Sequence, residues 1–431
     1  MHKIAFNTAV AVVIANMIGT GVFTSLGFQL AGTHSVFAIM MLWVVGGVLA
    51  LCGALVYGEI GAALPQSGGE YNYLSQLYHP AIGFLSGWVS VTVGFAAPIA
   101  AASVALSKYV NKIYPSVNPV FLAVSVIVLI TLIHSFNLKA GSVFQRGFTW
   151  IKVICIGMFV GFGLFYQPEH TLTITATAAD WKDVFSGTFA SSLIYVLYAY
   201  SGWNAAAYVA GEMENVQKAL PRALILGTTV VLVIYATLNY VFLYTVPMNE
   251  LEGVVEVGYV SAKHIFGPNV GQFMSLVIAL LLVSTISAMI LAGPRVTQSM
   301  GKHIHGLRFL AISNKNNVPF VAIMFQSIIA VALVLTSSFE SLITYVSFTL
   351  NVFTFLTVAG IFVLRYRFPQ IERPFKTPFY PFTPLLFLAI IFWTSWNIVT
   401  SRPIESLYGL FTVLAGLLVY FIATRTNKII Q

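Results

Sequence analysis

Two short stretches carry residue types whose spacing can do chemistry. Ile18-Gly19-Thr20-Gly21-Val22-Phe23 lies near the middle of an apolar run over 5–30, and Tyr198-Ala199-Tyr200-Ser201-Gly202-Trp203-Asn204 lies in another over 184–210. Glycine costs about 1 kcal/mol against alanine in a helix interior, and Ser, Thr and Asn side chains compete for backbone groups. Both stretches are therefore expected to break a helix. The N–H groups of a half-helix beginning after Gly21 would attract a carboxylate, so Ile18, Gly19, Thr20 and Gly21 form one expected pole. The carbonyls freed at Ala199, Tyr200, Ser201 and Gly202 would accept an ammonium. A site with both poles fits a zwitterion. Taken alone, a glycine pair suits a packing notch equally well, because small residues let membrane helices approach closely.

Few other side chains offer chemistry. Lys152 is the sole basic residue placed inside an apolar run. A lysine at mid-bilayer costs about 2.5–3.5 kcal/mol on insertion scales, so it should face the protein interior unless it snorkels to a nearby interface. Ser284, Thr285 and Ser287 cluster on one run, and Tyr235 is able to reach the same region. Phe23 and Tyr198 flank the two breaks, where aromatic rings cap ligands or simply pack. Glu59, Glu70, Glu212 and Glu214 are expected on the same side as Arg146, Arg222 and Arg295, as ion pairs of a gate. An intramembrane enzyme would need a nucleophile and base, or metal ligands, at membrane depth. No His–Asp or carboxylate pair falls there, and His34, His79, His134, His170 and His264 show no metal spacing, so neither catalysis, a metal nor a cofactor is expected. Nor are the repeated pore loops or charge rings of a channel visible.

The elements that must position these residues follow from composition. Hydrophobic residues make up 58% of the 431 positions and charged residues 8%, far below the quarter usual in soluble domains. Twelve runs are long enough to span a bilayer at about 20 residues each: roughly 5–30, 36–63, 81–107, 119–136, 147–166, 184–210, 223–246, 270–294, 319–336, 341–364, 380–400 and 404–424, called spans 1–12. Long apolar runs mean helices, since barrel strands alternate over about 10 residues. Lys108, Lys112, Lys182, Lys263 and Arg402 fall on one side; with Lys152 inside a run, this leaves fifteen of the 21 Lys and Arg residues on the other. That bias places both termini in the cytoplasm and accounts for the net charge of +8 without a nucleic-acid partner. The first run lacks the short core and cleavage site of a signal peptide. Cys52 and Cys155 lie within spans, and 108–118 holds no cysteine, so no disulfide-linked partner chain is expected. The segment 247–268 has helical spacing suited to a surface helix, and 296–318 suits either a membrane-lying segment or a solvated loop.

The two breaks stand five spans apart, at the start of each half of a ten-span unit. Interrupted segments in corresponding halves point to a secondary-transporter site, because irregular backbone at membrane depth survives only where it lines a cavity or is buried in protein. The motifs around them resemble one family. Gly19-Thr20-Gly21-Val22-Phe23 is similar to its G-[ST]-G-I-F break. Glu59-Ile60-Gly61 with Pro65, Gly68, Gly69 and Tyr71 resembles its signature after span 2, and Phe144-Gln145-Arg146 with Thr149 and Lys152 its entry into span 5. Gly202-Trp203-Asn204, Gly211-Glu212, Glu214-Asn215 and Leu220-Pro221-Arg222 follow its span-6 pattern, with Val216 where proline is frequent. Gly293-Pro294-Arg295-Val296 matches the end of span 8. In order and spacing, the chain resembles the amino acid–polyamine–organocation superfamily, within its L-amino-acid-transporter-like branch.

The resemblance implies an all-α membrane protein of twelve helices: two inverted five-helix repeats, about 5–166 and 184–364, and peripheral helices over about 380–424. It implies alternating access, in the cell membrane, between a bundle of spans 1, 2, 6 and 7 and a scaffold of spans 3, 4, 8 and 9. A lysine at Lys152 would stand where sodium-coupled relatives hold a cation, bracing the span-1 break against span 8 with Ser284, Ser287 and Tyr235 nearby. Tyr198 would gate the bound side chain with Phe23, and Ser201, where glycine accompanies large substrates, narrows the pocket. The expected function is sodium-independent exchange of small neutral L-amino acids such as Ala, Ser or Gly. Proton-coupled symport remains open, as do larger neutral or cationic amino acids and polyamines.

Overall fold

The apolar runs form helices throughout. In the computed structural model the described residues are 4–33, 35–136, 138–168, 171–172, 174–315 and 318–425, with side chains described outside 136–149, 303, 305 and 425. Eight of the described helices are long and apolar enough to cross a membrane, with shorter apolar helices beside them. No strand forms among the described residues, and one isolated backbone bridge joins Ile4 to Met213.

All twelve expected spans are helical. Span 1 comprises Phe6–Met17, Gly21–Thr24 and Leu26–Leu30. Span 2 is Val36–Ala63, followed by a short helix Glu70–Leu77. Span 3 is built from Pro80–Val89, a π-helical turn Ser90–Phe95 and Ala96–Asn111. Spans 4 and 5 are Pro119–Phe136 and Leu138–Phe165. Span 6 is Gly187–Tyr200, and after a gap a 3₁₀ segment Ala205–Glu212. Spans 7 to 10 are Val216–Thr245, Pro268–His303, Phe320–Thr336 and Phe339–Arg367. Spans 11 and 12 are Phe382–Ser401 and Pro403–Arg425.

The packing pairs corresponding members of the two halves. Span 2 packs along span 7, span 3 along span 8 and span 4 along span 9. The first part of span 1 touches the 3₁₀ end of span 6, while Gly21–Leu30 touches Gly187–Tyr200. The two broken spans therefore run antiparallel, as in a fold of two inverted five-helix halves. With an even number of spans, both chain ends reach one face, called here the terminal face.

Two segments differ from expectation. Segment 247–268 is helical over Met248–Leu251 and Val257–Phe266, but Leu251, Val255, Val257 and Ala262 are buried. It caps the far end of span 1, with the Gly253 N–H donating to the Gly27 carbonyl at 2.9 Å. A Cβ on Gly27 would stand 2.2 Å from the Val254 carbonyl oxygen, so the close fit replaces the surface position read from periodicity. Span 8 continues to His303, and the following turn over His305–Ala311 folds back against spans 8 and 12.

The expected ion pairs also rearrange. Glu59, fully buried on span 2, meets neither Arg222 nor Arg295; it pairs with Arg365 of span 10, receiving Nε at 2.9 Å and Nη2 at 2.7 Å. The Thr377 N–H adds a third donor at 2.6 Å, and the Arg365 guanidinium lies 3.6 Å from the Tyr380 ring centroid. The Arg146 side chain lies outside the described residues. Losing one partner strands the other charge in low dielectric. Arg365→Ala is expected to cost about 3–5 kcal/mol, read as a lower thermal unfolding midpoint in detergent. An unchanged midpoint would show that Glu59 does not depend on the pair.

Candidate functional site

The helix breaks are where the glycines place them. Span 1 stops being helical at Ile18 and resumes at Gly21. The Thr20 N–H, between the half-helices, donates to no described group. Two side chains hold the break, one of them braced by a third. Lys152 of span 5, almost wholly buried, donates from Nζ to the Ile18 carbonyl at 3.2 Å and to Thr285 Oγ1 of span 8 at 2.8 Å. Tyr235 of span 7 donates to the Met17 carbonyl at 2.5 Å, and the Gly19 N–H is directed at its hydroxyl. Spans 5 and 7 thus converge on carbonyls that a continuous helix would satisfy internally, with span 8 bracing the lysine.

Of the span-8 hydroxyls, Thr285 meets Lys152. Ser287 instead bonds His134 Nε2 of span 4 at 2.8 Å, and Ser284 is fully buried. Side-chain direction separates them: successive helical residues turn by about 100°, so Thr285 and Ser287 face different neighbours.

Span 6 breaks after Tyr200. Ser201 turns both its N–H (3.1 Å) and its hydroxyl (2.7 Å) back to the Tyr198 carbonyl, and Gly202 adopts φ +95°. That φ favours glycine, and a Cβ there would also stand 2.8 Å from the Asn16 carbonyl oxygen. The carbonyls of Ala199 and Ser201 accept no hydrogen bond from the described chain. The two breaks touch: a Cβ on Gly21 would sit 2.4 Å from Ala199 Cα. Gly21 is thus a close-packing position as well as a helix start, so the notch reading and the break reading both apply to it.

A cavity of about 690 Å³ runs from these breaks to the terminal face. Tyr198, Ser201, Gly202 and Asn16 line its deep end, and Ser67, Glu212 and Ser299 its mouth. Of the expected site residues, Tyr198, Ser201 and Gly202 line it; Ile18, Gly19, Thr20, Gly21, Ala199 and Phe23 lie behind its wall. Tyr198 stands against Thr20 across the gap.

The opposite end is closed. Tyr109 of span 3 donates to the Phe23 carbonyl at 2.9 Å, and Ser25 to the Tyr195 carbonyl at 3.3 Å. The Phe28 ring stacks between Tyr195 and Phe339, at centroid distances of 5.7 and 5.9 Å. Tyr195 also donates to Glu340 at 2.8 Å, and Glu340 pairs with Arg402. The arrangement therefore communicates with the terminal face.

Sequence reading missed three contributors. The π-helical turn of span 3 places Ser90, Gly94 and Phe95 in the cavity wall; such turns recur at functional sites, but no residue pattern announces one. Asn16 enters the wall from the last turn before the first break. Glu70 enters from the helix after span 2, so a search for carboxylates confined to spans could not find it. Among the described residues no three His, Cys, Asp or Glu side chains gather as a metal site; His34 and His170 lie outside those residues. Cys52 is buried in span 2 and Cys155 half-buried in span 5, both as free thiols.

A family model described as Amino acid permease matches residues 4–421. The chain is 27% identical over 428 residues to the b(0,+)-type amino acid transporter 1 of Mus musculus, covering 97% of this chain and 87% of that protein. It is 28% identical over 420 residues to the Serine/threonine exchanger SteT of Bacillus subtilis (strain 168), covering 96% and 94%. It is 27% identical over 432 residues to the Asc-type amino acid transporter 1 of Mus musculus, covering 97% and 81%.

Proposed function

This chain belongs to the amino acid permease family, and from that premise we propose that it exchanges small neutral L-amino acids across the cell membrane, independently of sodium and with both termini in the cytoplasm. One observation carries the reading. The two breaks meet with an unpaired N–H at Thr20 on one side and unpaired carbonyls at Ala199 and Ser201 on the other. Such a juxtaposition of a donor pole and an acceptor pole suits an amino acid zwitterion, with the carboxylate toward Ile18–Gly21 and the ammonium toward Ala199–Gly202.

Lys152 supports sodium independence. Its ammonium lies between the Ile18 carbonyl and Thr285, a place where a cation would otherwise hold the break. Tyr235 acts with it as a positioning residue. Tyr198, buried beside the span-6 gap and lining the cavity, is suited to close over a side chain; Phe23, held through its carbonyl by Tyr109, belongs to the far seal. The cavity opening toward the terminal face is one of the two positions that alternating access requires. Repeat boundaries near 5–166 and 184–364 agree with the antiparallel pairing of spans 1 and 6. The printed activity of the serine/threonine exchanger relative favours exchange over symport.

The test uses proteoliposomes loaded with or without alanine, followed by labelled alanine uptake in sodium or potassium buffer. Uptake should require internal amino acid and be indifferent to sodium. Accumulation in empty vesicles under a pH gradient would replace exchange by proton symport.

Substrate size has its own test. Ser201 carries its side chain into the cavity wall, so Ser201→Gly is expected to admit leucine and phenylalanine, raising their uptake relative to alanine about tenfold, near the lower end for a hydrophobic-pocket size difference of about 1–3 kcal/mol. An unchanged ratio would remove Ser201 from substrate selection.

A further inference from the structure

Glu70 is the one carboxylate among the described residues that is both buried and in the cavity wall. It keeps 3% of its surface. All three of its hydrogen bonds fall on Oε1: from the Tyr57 hydroxyl at 2.5 Å, Asn204 Nδ2 at 3.0 Å and the Thr354 hydroxyl at 3.4 Å. The described chain forms no such bond to Oε2, although the Ser86 hydroxyl stands close to the carboxylate, and the residue lines the cavity. Among the described residues no Lys, Arg or His nitrogen lies within ion-pair distance; the ion pairs present involve Glu59, Glu250, Glu256 and Glu340.

A buried carboxylate without a cation is costly. Three donors are nevertheless spent on one of its oxygens, which orients the other. Asn204 follows Gly202 by two residues, so their Cα atoms lie within about 7 Å, and the group stands one step from the break toward the terminal face. Burial holds the Glu70 carboxyl above the usual carboxylate range, although Tyr57, Asn204, Thr354 and Ser86 each pull it down; a cation beside it would lower it.

We propose that Glu70 is an ammonium-binding station, facing the cavity through Oε2, which holds the ammonium of the amino acid between the helix breaks and the terminal face. The chemistry required is a hydrogen-bonding cation of ammonium size. The α-ammonium of any substrate supplies it, as does the side chain of a basic one. The proposal rests on the amino acid reading for its physiological ligand, although the site itself does not.

Two measurements separate these. In the purified full chain, methylammonium chloride is titrated against sodium chloride at equal ionic strength. Methylammonium should raise the thermal unfolding midpoint of the wild type and not that of Glu70→Gln; no rise in the wild type overturns the station. In proteoliposomes, the half-saturation concentration is then measured separately for internal and external alanine and lysine. Glu70→Gln should raise the internal value for alanine about tenfold, as expected for losing a hydrogen bond to a charged group, with the external value within about twofold. Glu70→Asp, which keeps the charge, should recover part of the loss.

Internal values unchanged by Glu70→Gln overturn the proposal, since a neutral carboxyl would then serve equally well. Equal shifts on both faces overturn it too, marking Glu70 as a strut for Asn204. A shift confined to lysine assigns the station to basic side chains. If Glu70→Gln does not fold, the wild-type methylammonium titration and Glu70→Asp decide. Methylammonium stabilisation without any alanine exchange would sink the substrate reading and leave the station standing.

Discussion

Lys152→Met should lower amino acid exchange between about tenfold and a hundredfold while leaving thermal stability unchanged or slightly higher. Lys152 holds the span-1 break through two bonds, to the Ile18 carbonyl and to Thr285 Oγ1. A hydrogen bond from a charged donor is worth about 1.5–3 kcal/mol and 1.4 kcal/mol is a factor of ten, so the expected range matches loss of the one bond that reaches the break, to the Ile18 carbonyl. On the proposed reading the break must keep one geometry to receive the carboxylate, so the cost falls on transport. Folding stability follows another rule. Methionine fills similar volume without the expense of taking an ammonium out of water, and replacing a buried charged group by a packed apolar one is often neutral or favourable. The measurement is exchange in proteoliposomes beside thermal unfolding of the same preparation. Wild-type exchange in Lys152→Met would remove the lysine from the mechanism, and a collapsed unfolding midpoint would make its role structural.

The second large effect is steric and distinguishes two glycines two residues apart. Gly21→Ala puts a Cβ 2.4 Å from Ala199 Cα and 2.7 Å from its Cβ, a contact with backbone that no rotamer relieves. Spans 1 and 6 would have to separate at their breaks, at a cost of about 1–3 kcal/mol typical of overpacking, and the two poles would part. Gly19→Ala meets only Thr285 Cγ2, at an ordinary 3.6 Å, and the Met17 carbonyl oxygen at 3.9 Å. Transport by Gly21→Ala is accordingly expected to fall below about a tenth of wild type, with Gly19→Ala retaining most of it. Initial rates of labelled alanine uptake at matched protein density read the difference. The reverse order would mean that the contact between Gly21 and Ala199 is not maintained during transport.

The site was legible in unequal parts. Its two breaks could be read directly, because glycine and small polar residues within an apolar run oppose a continuous helix. Their correspondence was legible from spacing alone. Lys152 announced itself because a lone cation in a lipid-length run demands an interior partner. The partner was less certain: a row of hydroxyls at Ser284, Thr285 and Ser287 does not reveal which one faces span 5. Glu70 was assigned to a set of face charges, since nothing in Gly68-Gly69-Glu70-Tyr71 shows that its loop folds into the cavity wall. Arg365 was counted only as a contributor to the charge bias, yet it serves Glu59 from 306 positions away.

What the sequence determined by itself was every property set within one segment: twelve helices from apolar length and two interruptions from glycine chemistry. Tertiary structure alone decided which groups meet across segments. It directed Lys152 to Thr285 rather than Ser287, placed Gly21 against Ala199, folded 247–268 over span 1 and turned the Glu70 carboxylate into the cavity. The physical reason is that helix formation in an apolar solvent is a local requirement, since each backbone group must be satisfied within its own segment. Pairing between segments depends instead on helix rotation and side-chain direction. Those are fixed only when all the neighbouring helices pack together.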